Sequence, residues 1–155
     1  MEHEYLDFLK ETQLDLYYPD ENFRFSLPGQ YDKVLQHISV HRWFMGEKLH
    51  RPITDEEAVR GWYKDVFRPL FMIINKHEIL KDFPHRTPMD LYLWILEHRW
   101  YLAEEQQRRV SIESAALHYA KRFSKRPFRH VIQVWNWLTR RIRHAGKKKS
   151  RHSGG

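Results

Sequence analysis

Apolar residues recur along much of the chain every three or four positions, which is the spacing of amphipathic α-helices. After Pro28-Gly29, one such stripe extends to about residue 49. Its members are Val34, Ile38, His41, Met45 and Leu49. A second stripe follows Thr87-Pro88, where a hydroxyl cap precedes a proline at the first helical position. Its members are Leu91, Ile95, His98 and Leu102. Each stripe predicts one long helix with a buried face.

Shorter helices are predicted between and before these two. Residues 2–14 are expected to form one helix that turns Tyr5, Leu6 and Leu9 inward. The run Thr54-Asp55-Glu56-Glu57 has the spacing of a capping box, and Ser111 is expected to cap a further helix. Proline lacks an N–H and its ring collides with the preceding turn. We therefore expect Arg68-Pro69 to kink or break the helix that contains it.

The two long helices belong to a repeated unit. A shift of 57 residues places the segment that starts at His41 (HRWFM) on the segment that starts at His98 (HRWYL). The same shift aligns Thr54 with Ser111, and one inserted residue then aligns Arg68-Pro69 with Arg126-Pro127. Shared caps, turn lengths and a proline indicate duplication and not mere helical periodicity. We predict an all-α bundle of two diverged copies, about 28–81 and about 87–144, related by an approximate twofold axis.

The domain organisation follows from this repeat. Residues 1–145 are predicted to form a single all-α domain, and residues 146–155 a basic, disordered tail. Only 6 Gly and 7 Pro are present among 155 residues, too few for a turn-rich sandwich or barrel. Because the chain has no Cys, disulfides, zinc–thiolate sites and thiol catalysis are excluded. The acidic N-terminus lacks the apolar core of a signal peptide, so a cytoplasmic location is expected.

Charge is distributed very unevenly. Residues 1–113 carry 15 Lys/Arg and 20 Asp/Glu, whereas residues 114–155 carry 12 Lys/Arg and no acidic residue. Such asymmetry indicates an anionic partner for the C-terminal third, namely nucleic acid, an acidic protein or a membrane surface. A purely solubilising role for the basic residues is the alternative.

The C-terminal third also carries a predicted helix with an apolar stripe that includes Val131, Trp135 and Leu138. Basic side chains occupy its other face, and Trp137 lies off the stripe, where it can stack on bases. The predicted nucleic-acid interface consists of Arg126, Arg129, Trp137, Arg140, Arg141, Arg143, Lys147, Lys148, Lys149 and Arg151.

The repeated His-Arg-Trp motif is the other candidate site. It comprises His41, Arg42 and Trp43 in the first copy and His98, Arg99 and Trp100 in the second. We interpret it as structural, with buried, hydrogen-bonded histidines and with arginines that pair with glutamates. His37 lies one turn before His41, so a metal shared by the two is the alternative. The second copy has Trp94 at the position of His37, and we expect no metal or cofactor.

From about Phe25 to Phe123 the chain resembles a bacterial helical domain of unknown function. The likeness rests on residues 40–44, on residues 62–69 and above all on residues 96–101 and 110–115. This domain is found C-terminal to lipopolysaccharide-kinase-like domains in actinobacteria and in short stand-alone proteins. The resemblance implies a helical bacterial module without assigned catalytic residues. No kinase-like portion is present here, so no phosphotransfer activity is carried over.

Three hypotheses about function follow. The leading one is a non-enzymatic module that binds nucleic acid or a ribonucleoprotein through its basic C-terminal helix and tail. The second is a protein-interaction or membrane-surface module in a bacterial lipid or envelope pathway. The third is a metal-dependent enzyme that uses His41 and His98. No phosphate-binding loop or catalytic motif is present, so the protein is expected not to be an enzyme.

Overall fold

The structure is a computed structural model that describes residues 1–124. All regular structure in this range is helical, and no strand occurs in it. The α-helices are α1 (Glu2–Thr12), α2 (Leu14–Tyr17), α3 (Tyr31–Leu49), α4 (Asp55–Trp62), α5 (Arg68–Lys76), α6 (Pro88–Gln106) and α7 (Ile112–Phe123). A π-helical turn (Tyr63–Phe67) joins α4 to α5, and a 3-10 turn (Ile79–Asp82) follows α5. The predicted all-α class is confirmed.

The helices form two packed pairs. Helix α3 packs against α4, and α6 packs against α7. Helix α5 leaves the first pair and packs on both helices of the second, so it links the two pairs into one core. Helix α1 packs on both helices of the first pair. None of the helices in residues 1–124 combines the length and apolar content of a membrane span.

Side-chain caps fix where the helices begin. The Thr54 hydroxyl accepts from the Glu57 N–H at 3.2 Å, and the Glu57 carboxylate accepts from the Thr54 N–H at 3.0 Å. This reciprocal pair is the predicted capping box. Ser111 caps α7 as expected, because its hydroxyl accepts from the Ser114 N–H at 3.1 Å. Thr87 likewise begins α6, with Asp90 as its capping-box partner.

The bounds of the helices coincide under the 57-residue shift. Helices α3 and α6 have 19 residues each and begin at Tyr31 and Pro88. Each is followed by one left-handed residue, with φ of 53° at His50 and 51° at Gln107. A duplication predicts this agreement. The twofold arrangement of two copies, and the part of the second copy beyond residue 124, stay predictions.

The two long helices are buried to different extents. On α6 the whole predicted stripe is buried, and Leu91, Ile95 and His98 are each at most 1% exposed. On α3 only Val34 and Ile38 of the predicted stripe are buried, whereas Leu49 is 48% exposed. Helix α6 is therefore the central element of the described fold, and α3 lies at its surface.

The α-helix that begins at Asp55 is interrupted before Arg68-Pro69, where a kink or break was expected. The chain passes from α4 through the π-helical turn Tyr63–Phe67 into α5. Helix α5 begins at Arg68 and has Pro69 in its first turn, where the missing N–H of proline costs no intrahelical hydrogen bond. The π-helical turn thus replaces α-helical geometry on the N-terminal side of the proline.

The first predicted helix also differs from the structure. Helix α1 ends at Thr12, Gln13 adopts a left-handed φ of 55°, and the short helix α2 follows. Leu6, expected inside, is 54% exposed, whereas Phe8 is 1% exposed. The Phe8 ring packs on Tyr31 of α3 at a centroid distance of 4.9 Å, so this contact sets the buried face of α1.

Candidate functional site

The predicted nucleic-acid interface lies outside the described residues. This holds for Arg126, Arg129, Trp137, Arg140, Arg141, Arg143, Lys147, Lys148, Lys149 and Arg151. Of the Lys and Arg residues in the C-terminal third, only Lys121 and Arg122 are among the described residues. Both are exposed in the last turn of α7, with the guanidinium of Arg122 5.7 Å from the ring centroid of Phe123. Basic side chains at a helix C-terminus also complement the helix dipole.

Most ion pairs of the described residues join Lys or Arg to carboxylates on their own surface. Arg24 binds Glu2 at 2.7 Å, Lys33 binds Glu97 at 3.0 Å, and Lys76 binds Glu113 at 3.0 Å. The other pairs of this kind are Arg42–Asp55, Arg51–Glu57, Arg60–Glu56 and Lys81–Glu78. Exposed pairs of this kind contribute little to stability. They do, however, neutralise much of the positive charge of the body.

The histidine of the second copy is deeply buried. His98 is 1% exposed, and its Nε2 lies 2.8 Å from Nδ1 of His118 on α7. The ring centroids are 5.0 Å apart and the planes differ by 20°, so the two nitrogens point nearly head to head. One proton lies between them, because one nitrogen must donate and the other must accept. This bond ties α6 to α7.

The histidine of the first copy has a different environment. His41 is 17% exposed, and its Nε2 lies 3.3 Å from a carboxylate oxygen of Asp65. The geometry is not that of a hydrogen bond, and Nε2 has no hydrogen-bond partner within residues 1–124. The position equivalent to His118 is Gly61, where a Cβ would come within 2.6 Å of Met45 Sδ. The two copies therefore hold their motif histidines differently.

The arginines and tryptophans of the motif also depart from expectation. The predicted partners of Arg42 and Arg99 were glutamates. Instead, Arg42 binds Asp55 at 2.5 Å, and Arg99 Nε donates to the Val110 carbonyl at 2.8 Å. The glutamate prediction was wrong because the start of the next helix supplies the acceptor in each copy: Asp55 in the first turn of α4, and the Val110 carbonyl just before the Ser111 cap of α7. Trp43 is 61% exposed and Trp100 51% exposed, so much of each indole lies at the surface.

An exposed aromatic pair marks the surface of α3. The rings of Trp43 and Phe44 meet edge to face at a centroid distance of 4.9 Å. Val40 lies one turn before Phe44, and all three side chains are more than half exposed. Beside them is an open depression of about 520 Å³. Its lining consists of Arg42, Trp43, Gly46, Glu47, His50, Arg51, Pro52 and Ile53.

His37, considered above as a metal ligand, belongs to a buried polar network. Its Nδ1 shares a hydrogen bond of 2.7 Å with the Tyr92 hydroxyl, and the Tyr92 oxygen accepts from Trp62 Nε1 at 2.9 Å. Burial raises the pKa of Tyr92 and lowers the pKa of His37. Both groups are therefore held neutral. No pattern in the sequence indicates this network, since its members are 25 or more residues apart.

The described residues contain no cluster of candidate metal ligands. No group of three or more His, Asp or Glu side chains there is arranged to hold a metal ion. The His37–His41 pair proposed as an alternative is divided between two environments: His37 binds Tyr92, and His41 faces Asp65.

Comparison with known proteins gives a match to one family model. No curated protein and no solved structure matches this chain. The matching segment runs from the last turn of α4 to the last residue of α7, which is less than half of the chain. It includes the second His-Arg-Trp motif and lacks the first. Residues 60–123 match the model of the family described as "Domain of unknown function (DUF4032)".

Proposed function

We propose that this protein binds nucleic acid or a ribonucleoprotein through residues 121–151, and that it is not an enzyme. One observation carries the proposal: beyond Glu113 the chain has 12 Lys/Arg and no acidic residue. Lys and Arg that neutralise phosphates release condensed counterions, which supplies most of the free energy of sequence-independent binding.

The charge of the folded body supports the choice of the C-terminal segment as the contact. The body carries an excess of carboxylates, and many of its cations are already paired with them. A polyanion that approaches residues 1–113 meets net negative charge. Electrostatic attraction of a polyanion is therefore concentrated in the segment beyond Glu113, which contains no acidic residue.

The direct test is binding of a fluorescent single-stranded oligonucleotide as a function of salt. We compare the wild type with the triple variant Lys147→Gln, Lys148→Gln, Lys149→Gln. The affinity of the triple variant should fall for all oligonucleotide sequences alike. The slope of its log affinity against log salt concentration should flatten by roughly one unit per lost contact. The matched control is Lys10→Gln, Lys48→Gln, Lys64→Gln, which removes the same charge from exposed positions of the body. The control should bind almost like the wild type.

A contribution of stacking is tested separately. Trp137→Ala should weaken single-strand binding by about 1–3 kcal/mol, as expected for the loss of one base–aromatic contact. It should leave the melting temperature unchanged. Trp135→Ala should lower the melting temperature instead, because Trp135 lies on the predicted apolar stripe. No measurable binding of DNA or RNA at low salt would exclude the proposal.

A second candidate is a protein-interaction or membrane-surface module, which would agree with a role in a lipid or envelope pathway. The exposed side chains Val40, Trp43 and Phe44 favour it, since contiguous apolar surface on a soluble domain commonly marks an interaction site. Sedimentation with vesicles that contain anionic lipid separates the two candidates. Vesicle binding that Trp43→Ser abolishes, without oligonucleotide binding, would establish the second candidate.

A further inference from the structure

A groove of about 190 Å³ lies between α1 and the beginning of α3. Its apolar lining consists of Phe8, Tyr31 and Leu35, which are buried or half-buried. Its polar lining consists of four exposed carboxylates, Glu4, Asp7, Glu11 and Asp32. Gly29 completes the lining, and no Lys or Arg takes part in it. The groove thus combines an apolar surface with uniformly negative charge.

The four carboxylates of the groove lack the Lys or Arg partners that several other carboxylates of the body have. Within residues 1–124, Glu4 lies 3.6 Å from the N-terminal ammonium, and Asp7 lies 3.6 Å from an exposed His3 nitrogen. No ion pair in this range joins any of the four to a Lys or Arg. By contrast, Glu2 on the same helix is held by Arg24 at 2.7 Å. The negative charge of the groove is therefore left for a cationic partner.

We propose that this groove binds the basic segment 140–151 of the same chain. That segment contains Arg140, Arg141, Arg143, Lys147, Lys148, Lys149 and Arg151 and no acidic residue. Lys and Arg side chains lay their aliphatic stems on apolar surface while the charged ends reach polar groups. The groove offers both surfaces, with the carboxylates around the apolar lining.

The length of the intervening chain permits this contact. Ser124 and Arg140 are 16 positions apart, a separation of up to about 55 Å in an extended chain and about 24 Å in an α-helix. A globular body of this size has a radius of gyration of about 14 Å, so the segment, whose last residues follow the predicted helix, has the length to reach the groove. Because the groove and the segment belong to one chain, the effective concentration of the segment is high and a weak contact is well populated.

Docking of the segment should also affect the binding of nucleic acid, and this consequence rests on the proposed function. The same cations cannot pair with groove carboxylates and with phosphates at once. The groove therefore competes with nucleic acid for the segment, and weakening the groove should raise the affinity for an oligonucleotide several-fold. The docking itself requires no nucleic acid and can be tested without it.

The absence of Cys makes a direct distance measurement simple. The full chain with Gln36→Cys and Ser150→Cys carries two spin labels, one beside the groove and one in the segment. Pulsed electron paramagnetic resonance at low salt should give a population of short distances. At 1 M salt, where the screening length is about 3 Å, that population should disappear.

Charge variants test whether the groove is the binding surface. Glu4→Gln, Asp7→Asn, Glu11→Gln should abolish the short distances. The matched control is Asp20→Asn, Glu47→Gln, Asp82→Asn, which removes three exposed carboxylates outside the groove. This control variant should retain the short distances. Circular dichroism establishes that both variants are folded. Equal loss in both variants, or a broad distribution already in the labelled wild type, would overturn the proposal.

Two further measurements separate the remaining outcomes. Dilution of the labelled protein with unlabelled protein should leave the short distances unchanged. If dilution removes them, the segment comes from a second copy and docking within one chain is wrong. Oligonucleotide binding by the same variants is measured independently. Absence of that binding would exclude the proposed function while the short distances still support docking.

Discussion

The Tyr92 hydroxyl and Nδ1 of His37 share a hydrogen bond of 2.7 Å, which joins the two packed helix pairs through their long helices. Trp62 Nε1 donates to the same hydroxyl oxygen at 2.9 Å. Tyr92 is 1% exposed and Trp62 is fully buried. A single phenol oxygen therefore satisfies two polar groups from different helices in the middle of the core.

Replacement of Tyr92 with Phe should destabilise the protein by roughly 1–3 kcal/mol. The phenylalanine ring keeps the packing, but it leaves the buried Trp62 N–H without an acceptor and His37 Nδ1 without its hydrogen-bond partner. Urea denaturation measures the change in the free energy of unfolding. Tyr17→Phe is the control, since the Tyr17 hydroxyl makes an exposed bond of 3.2 Å to Gln13. An equal effect in both variants would contradict the role assigned to Tyr92.

Protonation of His37 should destabilise the fold. Burial lowers its pKa from the ordinary value of 6.5, so the neutral form is favoured in the folded state. The stabilisation is fully present above pH 6.5 and is lost as the pH falls through the pKa of the folded state. The free energy of unfolding should therefore decrease more between pH 7 and pH 5 in the wild type than in His37→Gln. Parallel pH profiles of the two proteins would refute this.

The histidine pair should stabilise the contact between α6 and α7. His118→Ala removes the partner 2.8 Å from Nε2 of the buried His98. Loss of that partner should cost roughly 1–3 kcal/mol of unfolding free energy. Leu117→Ala is a useful comparison, because Leu117 is the preceding residue and is 42% exposed. A smaller loss for His118→Ala than for Leu117→Ala would show that the bond does not stabilise the contact.

The protein should need glycine at position 61 because Met45 packs against it, and not because of its backbone conformation. In most helix interiors Gly→Ala stabilises by roughly 0.5–1 kcal/mol. Here the added Cβ would lie 2.6 Å from Met45 Sδ and 3.3 Å from His41 Nε2, so Gly61→Ala should destabilise. In a Met45→Ala background the same substitution should become neutral or stabilising. A double-mutant cycle measures this coupling, and additive effects would contradict it.

The sequence predicted those elements of the fold that are specified by local chemistry. The capping box at Thr54, the Ser111 cap, the end of α3 near Leu49 and the start of α6 after Thr87 were correct. Each depends on residues within a few positions of one another. On α1, Tyr5 and Leu9 pack against the core as expected, but Leu6 is exposed. Phe8, whose burial is set by Tyr31 of another helix, was missed.

The candidate sites were less predictable for the same reason. The sequence drew attention to the motif histidines but not to their partners, His118 and Asp65, which are 20 and 24 residues away. The acidic groove was likewise invisible, because it exists only where α1 lies beside α3. Charge segregation, in contrast, is a property of the sequence itself, and it remains the basis of the proposed function.

The left-handed residues that end α3 and α6 bear on how the stability of this protein can be changed. His50 and Gln107 each carry a Cβ in a conformation that costs roughly 1 kcal/mol for any residue except glycine. Glycine at both positions would remove that strain without altering a single core contact. Gln107 is thus a surface site at which thermostability can be raised without touching the depression beside Trp43, which His50 lines.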